Sequence, residues 1–513
     1  MSDVTSLTPG ESKIVIIGGG IAGMCAGVYA QASGYQVEVL EQHTTPGGLA
    51  TSWKRGEYTF ETCIHWLVGS SPDGPLNAQW REVFDIDRLT FIYAEEYQRI
   101  ESDAGQALRV YSNVDRMEAK LLREAPEDAG EIRAFTAAIR VLADLPMQDL
   151  MNGPWPRRAW AMLRLAPRLP LLQHWAAMSA VDYSKRFKNE LLRRFFGDSG
   201  TAEMSVIALA FMFAWMNRRN AGYPIGGSRA IVDLIFERFR ALGGTLRTGV
   251  KVAKIRVEND IATGVQLTDG AFIGADWVIS AADGHTTIYD LLSGKYKNDS
   301  IDRLYARQPV FPSYIQVSLG VAQDLSGEPG YLAHILGVPL QVDPATALTN
   351  VTFRIFHYDP TFAPRGKTAI TCFLPTFNFA YWVELQRNDP ARYETEKSRI
   401  ADAVVAVLDR RLPGLRGQVE TIDVSTPASV IRFTGNWKGS MEGFLPTPGT
   451  LFASRRQTLP GLGRLLRVGQ WVSPGGGLPT GLMTARAAIQ RICRQDDVPF
   501  LPRAAAQTIG HAA

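Results

Sequence analysis

"KIVIIGGGIAGMCAGVYAQASGYQVEVLE", from Lys13 to Glu41, decides the fold. Lys13–Ile17 is a short β-branched run, the pattern of a buried parallel strand. Gly18, Gly20 and Gly23 follow with the spacing GxGxxG. The first permits a tight turn, the second lets a pyrophosphate approach the backbone, and the third lets a helix pack closely on the strand. The helix runs to about Ser33, where Gly34 stops it, and Gln36–Leu40 forms a second strand. Glu41 closes that strand, 23 residues after Gly18. A carboxylate there accepts hydrogen bonds from ribose hydroxyls and repels a 2′-phosphate. Strand, glycines, helix, strand and acid in this order predict a dinucleotide site in an α/β domain. The plainer alternative is a glycine-rich turn without a ligand.

Length and composition set the frame around that stretch. A chain of 513 residues exceeds one ordinary core, so roughly two to four domains are expected. An apolar content of 46% with 20% charge belongs to a globular protein, not to a disordered one. Cys25, Cys63, Cys372 and Cys493 are far apart and form no CxxC, so neither a metal knot nor a disulfide framework is expected, and a reducing compartment fits. The first dozen residues are polar, which argues against a secretory signal and for a cytoplasmic location. "MSVIALAFMFAWM" (Met204–Met216) is shorter than the roughly 20 residues that span a bilayer. It reads as a buried helix or as one lying at an interface.

Charge is unevenly distributed. Between Trp155 and Phe196 nine Lys/Arg face only Asp182 and Glu190, in a chain whose net charge is +3. Within "PRRAWAMLRLAPRL" (Pro156–Leu169), helical periodicity puts Arg157, Arg164 and Arg168 on one face and Ala159, Met162, Leu163, Ala166 and Leu169 on another. With Trp155, Trp160 and Trp175 nearby, this suits a helix resting on an anionic membrane surface. The alternative is a soluble helix with a solvated arginine face. Nucleic acid is not expected, because no recognition motif accompanies the charge.

Further stretches carry a family resemblance. Gly47, Gly48 and Ser52 in "PGGLATS" are similar to the GGRxxS/T of FAD proteins in the amine-oxidase-like superfamily, with Leu49 where many members have Arg. "GYPIGGSRAIVDLIFERFRALGGTLRTGVKVAKI" (Gly222–Ile255) resembles the central block of the phytoene desaturase, carotenoid isomerase and retinol saturase family. "GEYTFETCIHWLVG" (Gly56–Gly69) resembles its FDxGxH-type segment, with Glu61 for Asp and Cys63 for Gly. "RFTGNWKGSMEG" (Arg432–Gly443) resembles a late substrate-domain block, and "RVGQWVSPGGGLPTGLMTARAAIQRI" (Arg467–Ile492) the closing flavin motif. The resemblance implies FAD held by Gly18, Gly20, Ile21, Ala22, Gly23, Glu41, Gln42, Gly47, Gly48, Leu49 and Ile64. It adds the backbone of Val252 at the adenine, then Gly469, Gln470, Gly477, Leu478 and Thr480. Gln470 stands where members usually have Asp or Glu.

The closing block also reads without the family. "LLRVGQW" is an apolar strand, and Gly475–Gly477 open a helix with Pro479 early in it. The free N–H groups and positive dipole end of that helix can stabilise negative charge on a reduced flavin. Leu246–Ser280 alternates strand and turn, with "END" and "TDG" as the turns, the pattern of a meander packed on a Rossmann-like sheet.

Flavin motifs at both ends and in the middle imply an α/β, Rossmann-like (ββα three-layer) FAD-binding domain assembled from residues 1–69, 224–299 and 451–503. An α+β substrate domain, 70–223 and 300–450, is inserted, with a helical, membrane-contacting part at 155–220. Alternation marks strands at Ser313–Val321 and Lys367–Leu374, and Asp389–Pro390 starts a helix with the stripe Ile400, Val404, Leu408. Residues 504–513 read as a disordered tail.

Only one dinucleotide fingerprint occurs, so the flavin exchanges hydride with an organic substrate in one shared pocket. By resemblance the reaction is desaturation, saturation or isomerisation at carbon–carbon bonds of an apolar isoprenoid or lipid. His65 has two readings, an acid–base group beside the flavin or a hydrogen-bonded core histidine. Glu61 is either a second acid–base group or a fastener of a backbone turn. Competing functions are a flavin amine oxidase and a non-enzymatic prenyl-binding chaperone. Oligomeric state is not legible.

Overall fold

The computed structural model describes residues 12–152, 154–198, 200–451 and 455–502. The expected disordered tail lies outside the described residues.

The opening stretch folds as read: Lys13–Ile17 is a strand, Ile21–Ala32 is helix α1, and Gln36–Leu40 is the second strand. These strands join a five-stranded parallel sheet in the order Thr245–Arg247, Gln36–Leu40, Lys13–Ile17, Trp277–Ser280, Leu465–Arg467. Segments from both ends and the middle of the chain therefore build one sheet. Successive side chains of a strand point to opposite faces, and here both faces are buried. Ile14, Ile16, Val39 and Ile279 pack with α1, with α2 (Gly227–Ala241) and with α3 (Gly477–Gln495). Val15, Ile17, Leu40 and Val278 pack with Val252, Ile255, Val265 and Ile273 of an antiparallel meander, Val252–Glu258, Ile261–Leu267 and Phe272–Gly274. The three layers are thus meander, parallel sheet and helices. The first hairpin turns on Asn259 and Asp260, both at positive φ, the two-residue geometry that these side chains tolerate.

A seven-stranded sheet lies beyond. Its order is Val419–Ser425, Ser313–Val321, Thr368–Thr376, Thr346–Ile355, Tyr331–Asp343, Glu96–Ser102, Ala107–Tyr111. All pairs are antiparallel except Tyr331–Asp343 with Glu96–Ser102. One face takes Ile315, Val317, Leu319 and Val321 against the helix Pro390–Arg411, whose Ile400, Val404 and Leu408 are fully buried. Asp389 caps that helix by accepting from the Arg392 N–H. The alternate residues Gln316 and Ser318 are buried too. Gln316 Nε2 donates to Glu61 O at 3.0 Å and to Ser318 Oγ at 2.9 Å. The second face of the sheet therefore looks into the protein, and it carries polar side chains towards a site.

The apolar run folds as the helix Val206–Asn217, with Val206, Ile207, Ala210 and Phe213 wholly buried in a third core. The arginine-rich segment keeps the two faces read from its periodicity but is not one continuous helix. Its helix stops at Leu165, a 3₁₀ turn covers Ala166–Arg168, and Leu169–Ala176 resumes. The sole buried residue of Trp155–Leu165 is Ala161, on the same side as Arg157, Arg164 and Arg168. The apolar face consequently points outward, leaving Trp155 79%, Met162 57% and Leu163 62% exposed. Among the described residues no helix is long and apolar enough to cross a membrane.

Candidate active site

The first strand ends in Gly18 at φ +99°, whose N–H donates to Leu40 O at 2.8 Å. A Cβ on Gly23 would fall 1.9 Å from Gly18 O, so the first turn of α1 closes on the strand only because that atom is missing. Gly20 is the opposite case. A Cβ there would meet nothing nearer than Gly47 O at 3.8 Å and Gly48 Cα at 3.9 Å, so an open notch lies over the start of α1. No side chain caps α1, leaving its first N–H groups and positive dipole end to face that notch. Glu41 is buried, and its carboxylate accepts from Gly19 N–H at 2.7 Å and from His43 N–H at 2.8 Å. The Val250 N–H donates to Glu41 O, which brings the start of the meander and Val252 alongside the acid.

The closing block docks on this cradle from the far end of the chain. A Cβ on Gly469 would stand 3.3 Å from that of Ala22, and Gly481 lies against Ile21 and Ala22. Gly469 N–H donates to Thr484 Oγ1 at 2.8 Å. Gly475, Gly476 and Gly477 all have positive φ, and no side chain caps α3. Asn436 fastens this block to the Arg432–Gly443 stretch: its Oδ1 accepts from Trp471 Nε1 at 2.9 Å and from Gln470 Nε2 at 3.4 Å.

The turn after Glu61 forms the inner end. Glu61 is wholly buried, and its carboxylate accepts from the Ile64 N–H, the Ser228 N–H and the Ser228 hydroxyl. It therefore fastens the turn to the start of α2, the second of the two readings above. Burial outweighs the nearby Arg354 guanidinium and pushes its carboxyl up to about 7. Arg354 is also buried and donates to Ile64 O at 2.7 Å, with its guanidinium 4.8 Å from the Phe356 ring.

His65 lies among rings: Trp66 at 5.5 Å, Tyr331 at 5.9 Å and Phe373 at 6.0 Å. Burial, and then the Arg354 charge, hold its imidazole well below the ordinary histidine range, so it is neutral at pH 7. Tyr331 continues to Tyr97 at 5.7 Å, and Tyr97 to Phe213 of the buried helix at 5.1 Å. His65, Tyr97, Tyr331 and Tyr358 are surrounded by protein yet retain accessible surface, as side chains lining an internal cavity do. Its walls are mostly aromatic, and Tyr97 closes it by packing on the buried Phe213.

With this geometry in view, comparison with known proteins is informative. Residues 16–83 match the NAD(P)-binding Rossmann-like domain family. The chain is 24% identical to the neurosporene-forming phytoene desaturase of Rhodobacter capsulatus, over 94% of each chain. It is 22% identical to the chloroplastic prolycopene isomerase of Daucus carota, over 98% of this chain and 83% of that one. Over nearly its whole length the chain is similar to phytoene desaturases and prolycopene isomerases. Two solved structures share the fold. An oxidoreductase from Methanosarcina mazei has a TM-score of 0.59 at 16% identity, covering 93% of this chain and 100% of that one. Cyclohexylamine oxidase from Brevibacterium oxydans has 0.57 at 16%, covering 94% and 99%.

The cradle is that of a flavin-type dinucleotide cofactor, and the residues present fit such a group: an open notch at Gly20, two uncapped helix starts and a buried acid. Gly18–Gly23, Glu41, Gly47–Gly48, Val252 and Gly469–Gln470 converge here from separated stretches of the chain, with Ile64 and Gly477–Thr480 at the inner end. Sequence reading missed Arg354, Asn436, Tyr331 and Glu442. For Glu442 a signal was present, since the acid sits between Met441 and a glycine in one of the family-like blocks, and Gly443 has φ +77°.

Proposed function

We propose that this chain is an FAD-dependent oxidoreductase acting on carbon–carbon bonds of a carotenoid-like isoprenoid or related lipid. The observation that carries the reading is the set of aromatic side chains, His65, Tyr97, Tyr331 and Tyr358, that keep open surface inside the protein. An extended apolar chain fits such walls. When bound, the flavin supplies two-electron exchange with carbon.

The remaining work falls to the chain's own residues. Gly20 and the start of α1 take the diphosphate, and Glu41 takes the ribose hydroxyls. The uncapped start of α3 would stabilise negative charge on a bound flavin ring. Neutral His65 and its aromatic neighbours hold the hydrocarbon and exclude water. The outward apolar face of Trp155–Leu165, with Trp155, Trp160 and Leu163 exposed, rests on a membrane from which such a substrate comes.

The test is anaerobic titration of the FAD-loaded protein with carotenoids, other polyprenoids, retinoids and amines. Bleaching of the flavin absorbance by polyprenoids but not by amines is expected. Bleaching by amines alone overturns the reading.

A further inference from the structure

Among the described residues Glu442 is a carboxylate without a partner, near the turn that carries His65. Its loop is held firmly: the Trp437 N–H donates to Asp283 Oδ2 at 2.7 Å, the Met441 N–H to Pro312 O, and the Phe311 N–H to Gly443 O. The neighbouring Gly443 lies against Gln470, where an added Cβ would meet the Gln470 carbonyl at 2.8 Å. Across from the loop a Cβ on Gly476 would stand 2.5 Å from that of Glu442, so the start of α3 closes over the acid only as glycine. Glu442 Oε1 lies 3.9 Å from where a Cβ of Gly477 would be, which puts the carboxylate at the first turn of α3.

Other buried acids of this region are engaged. Glu41 and Glu61 accept from backbone N–H groups, Asp283 from Thr286 and Trp437, and Asp359 from Tyr223 and Gly226. Among the described residues Glu442 makes no hydrogen bond or ion pair, although protein surrounds it and it keeps some accessible surface. A carboxylate held inside the protein without a donor is costly, and such a cost persists where the group has work to do.

We propose that Glu442 is the acid–base residue of the reaction, exchanging a proton with the substrate's carbon chain. The proposal rests on the oxidoreductase reading above. In desaturation two hydrogens leave adjacent carbons. One departs as hydride, with its electron pair, to the flavin as two-electron acceptor. The other departs as a proton to the Glu442 carboxylate, and its bonding pair becomes the new π bond. Saturation is the reverse, with the protonated carboxyl as donor. The titratable group facing Glu442 is the Cys63 thiol, itself raised by burial, on the turn that carries His65. The first turn of α3, Gly477–Thr480, brings none, and Gln470 presents an uncharged amide. Burial pushes the Glu442 carboxyl up to about 7, so both protonation states are populated near neutrality, whereas His65 stays neutral.

Two readouts test this in the FAD-loaded protein. The first needs no substrate: difference infrared titration of wild type and Glu442→Gln over roughly pH 5 to 9. One protonated-carboxyl band that disappears near pH 7 is expected in wild type and absent in the variant. Glu61 and Asp283, also raised to about 7, contribute to both proteins and cancel. The second is turnover. Glu442→Gln is expected to lower kcat by about 10²–10⁴-fold, leave KM nearly unchanged and flatten the pH limb near neutrality, with Glu442→Asp recovering part. Identical infrared titrations overturn the proposal. So does a variant with wild-type kcat, or one whose loss leaves the pH profile unchanged. If no polyprenoid reduces the flavin of wild type, the oxidoreductase reading fails, and the infrared band still decides whether Glu442 titrates near neutrality.

Discussion

Gly20 and Gly23 stand three positions apart in one motif and answer to different physics. Gly23 is required by the fold, because a methyl group there would overlap the Gly18 carbonyl. Gly20 is required only by a ligand, because its own surroundings leave room. Gly23→Ala should therefore lower the thermal stability of the cofactor-free protein. Gly20→Val should leave that stability within roughly 0.5 kcal/mol of wild type yet abolish flavin retention, read from the absorbance of the purified protein. Normal flavin content in Gly20→Val would contradict the placement of the diphosphate.

Glu442 yields a second expectation at this scale. Its carboxyl rises from an ordinary 4.5 to about 7 on folding. The folded state then binds more protons between those values, so the stability this group contributes is present below about 4.5 and lost as pH rises through about 7. Glu442→Gln removes that loss. The variant should melt above wild type at pH 8, by on the order of 2 kcal/mol, and the gap should close near pH 4. A gap independent of pH would place its origin elsewhere than in ionisation.

The glycine motif was legible because its chemistry is local, each residue acting on neighbours a few positions away. Arg354 and Asn436 were not, since each acquires its meaning from partners in other segments. Arg354 serves the carbonyl of Ile64, and Asn436 serves Trp471. Nothing within reach of either residue along the chain announces that.

At the scale of elements, periodicity read well where one face of an element meets a core. The strand Ser313–Val321, the cap at Asp389 and the stripe of the following helix all follow from it. On Trp155–Leu165 it separated the two faces and left open whether the apolar one turns to a core or away from it. Helical periodicity says which residues share a face, and only the packing of Ala161 says which face turns inward. Since Trp155, Trp160 and Leu163 are exposed, replacing all three with Ser should change thermal stability little. The same variant should lose flotation with anionic liposomes, as each exposed apolar side chain supplies part of the partition energy. Retained flotation of the triple variant would remove this helix as the contact.

At the scale of the molecule, the three-layer architecture could be anticipated, but the seven-stranded sheet could not. Its order depends on the parallel pairing of Glu96–Ser102 with Tyr331–Asp343, strands more than two hundred residues apart in the chain. No pattern in either strand names the other. The parallel five-stranded sheet likewise waits for Leu465–Arg467, and the cradle for Gly469 and α3.

That last dependence has a consequence for how the protein is made. The ribosome releases the glycine loop long before the strand that borders Trp277–Ser280 and the helix that closes over Ala22. Stable flavin loading therefore waits for both of them. Ribosome-stalled chains ending before Leu465 should emerge colourless and protease-sensitive even with excess FAD, and acquire both colour and resistance once synthesis passes α3.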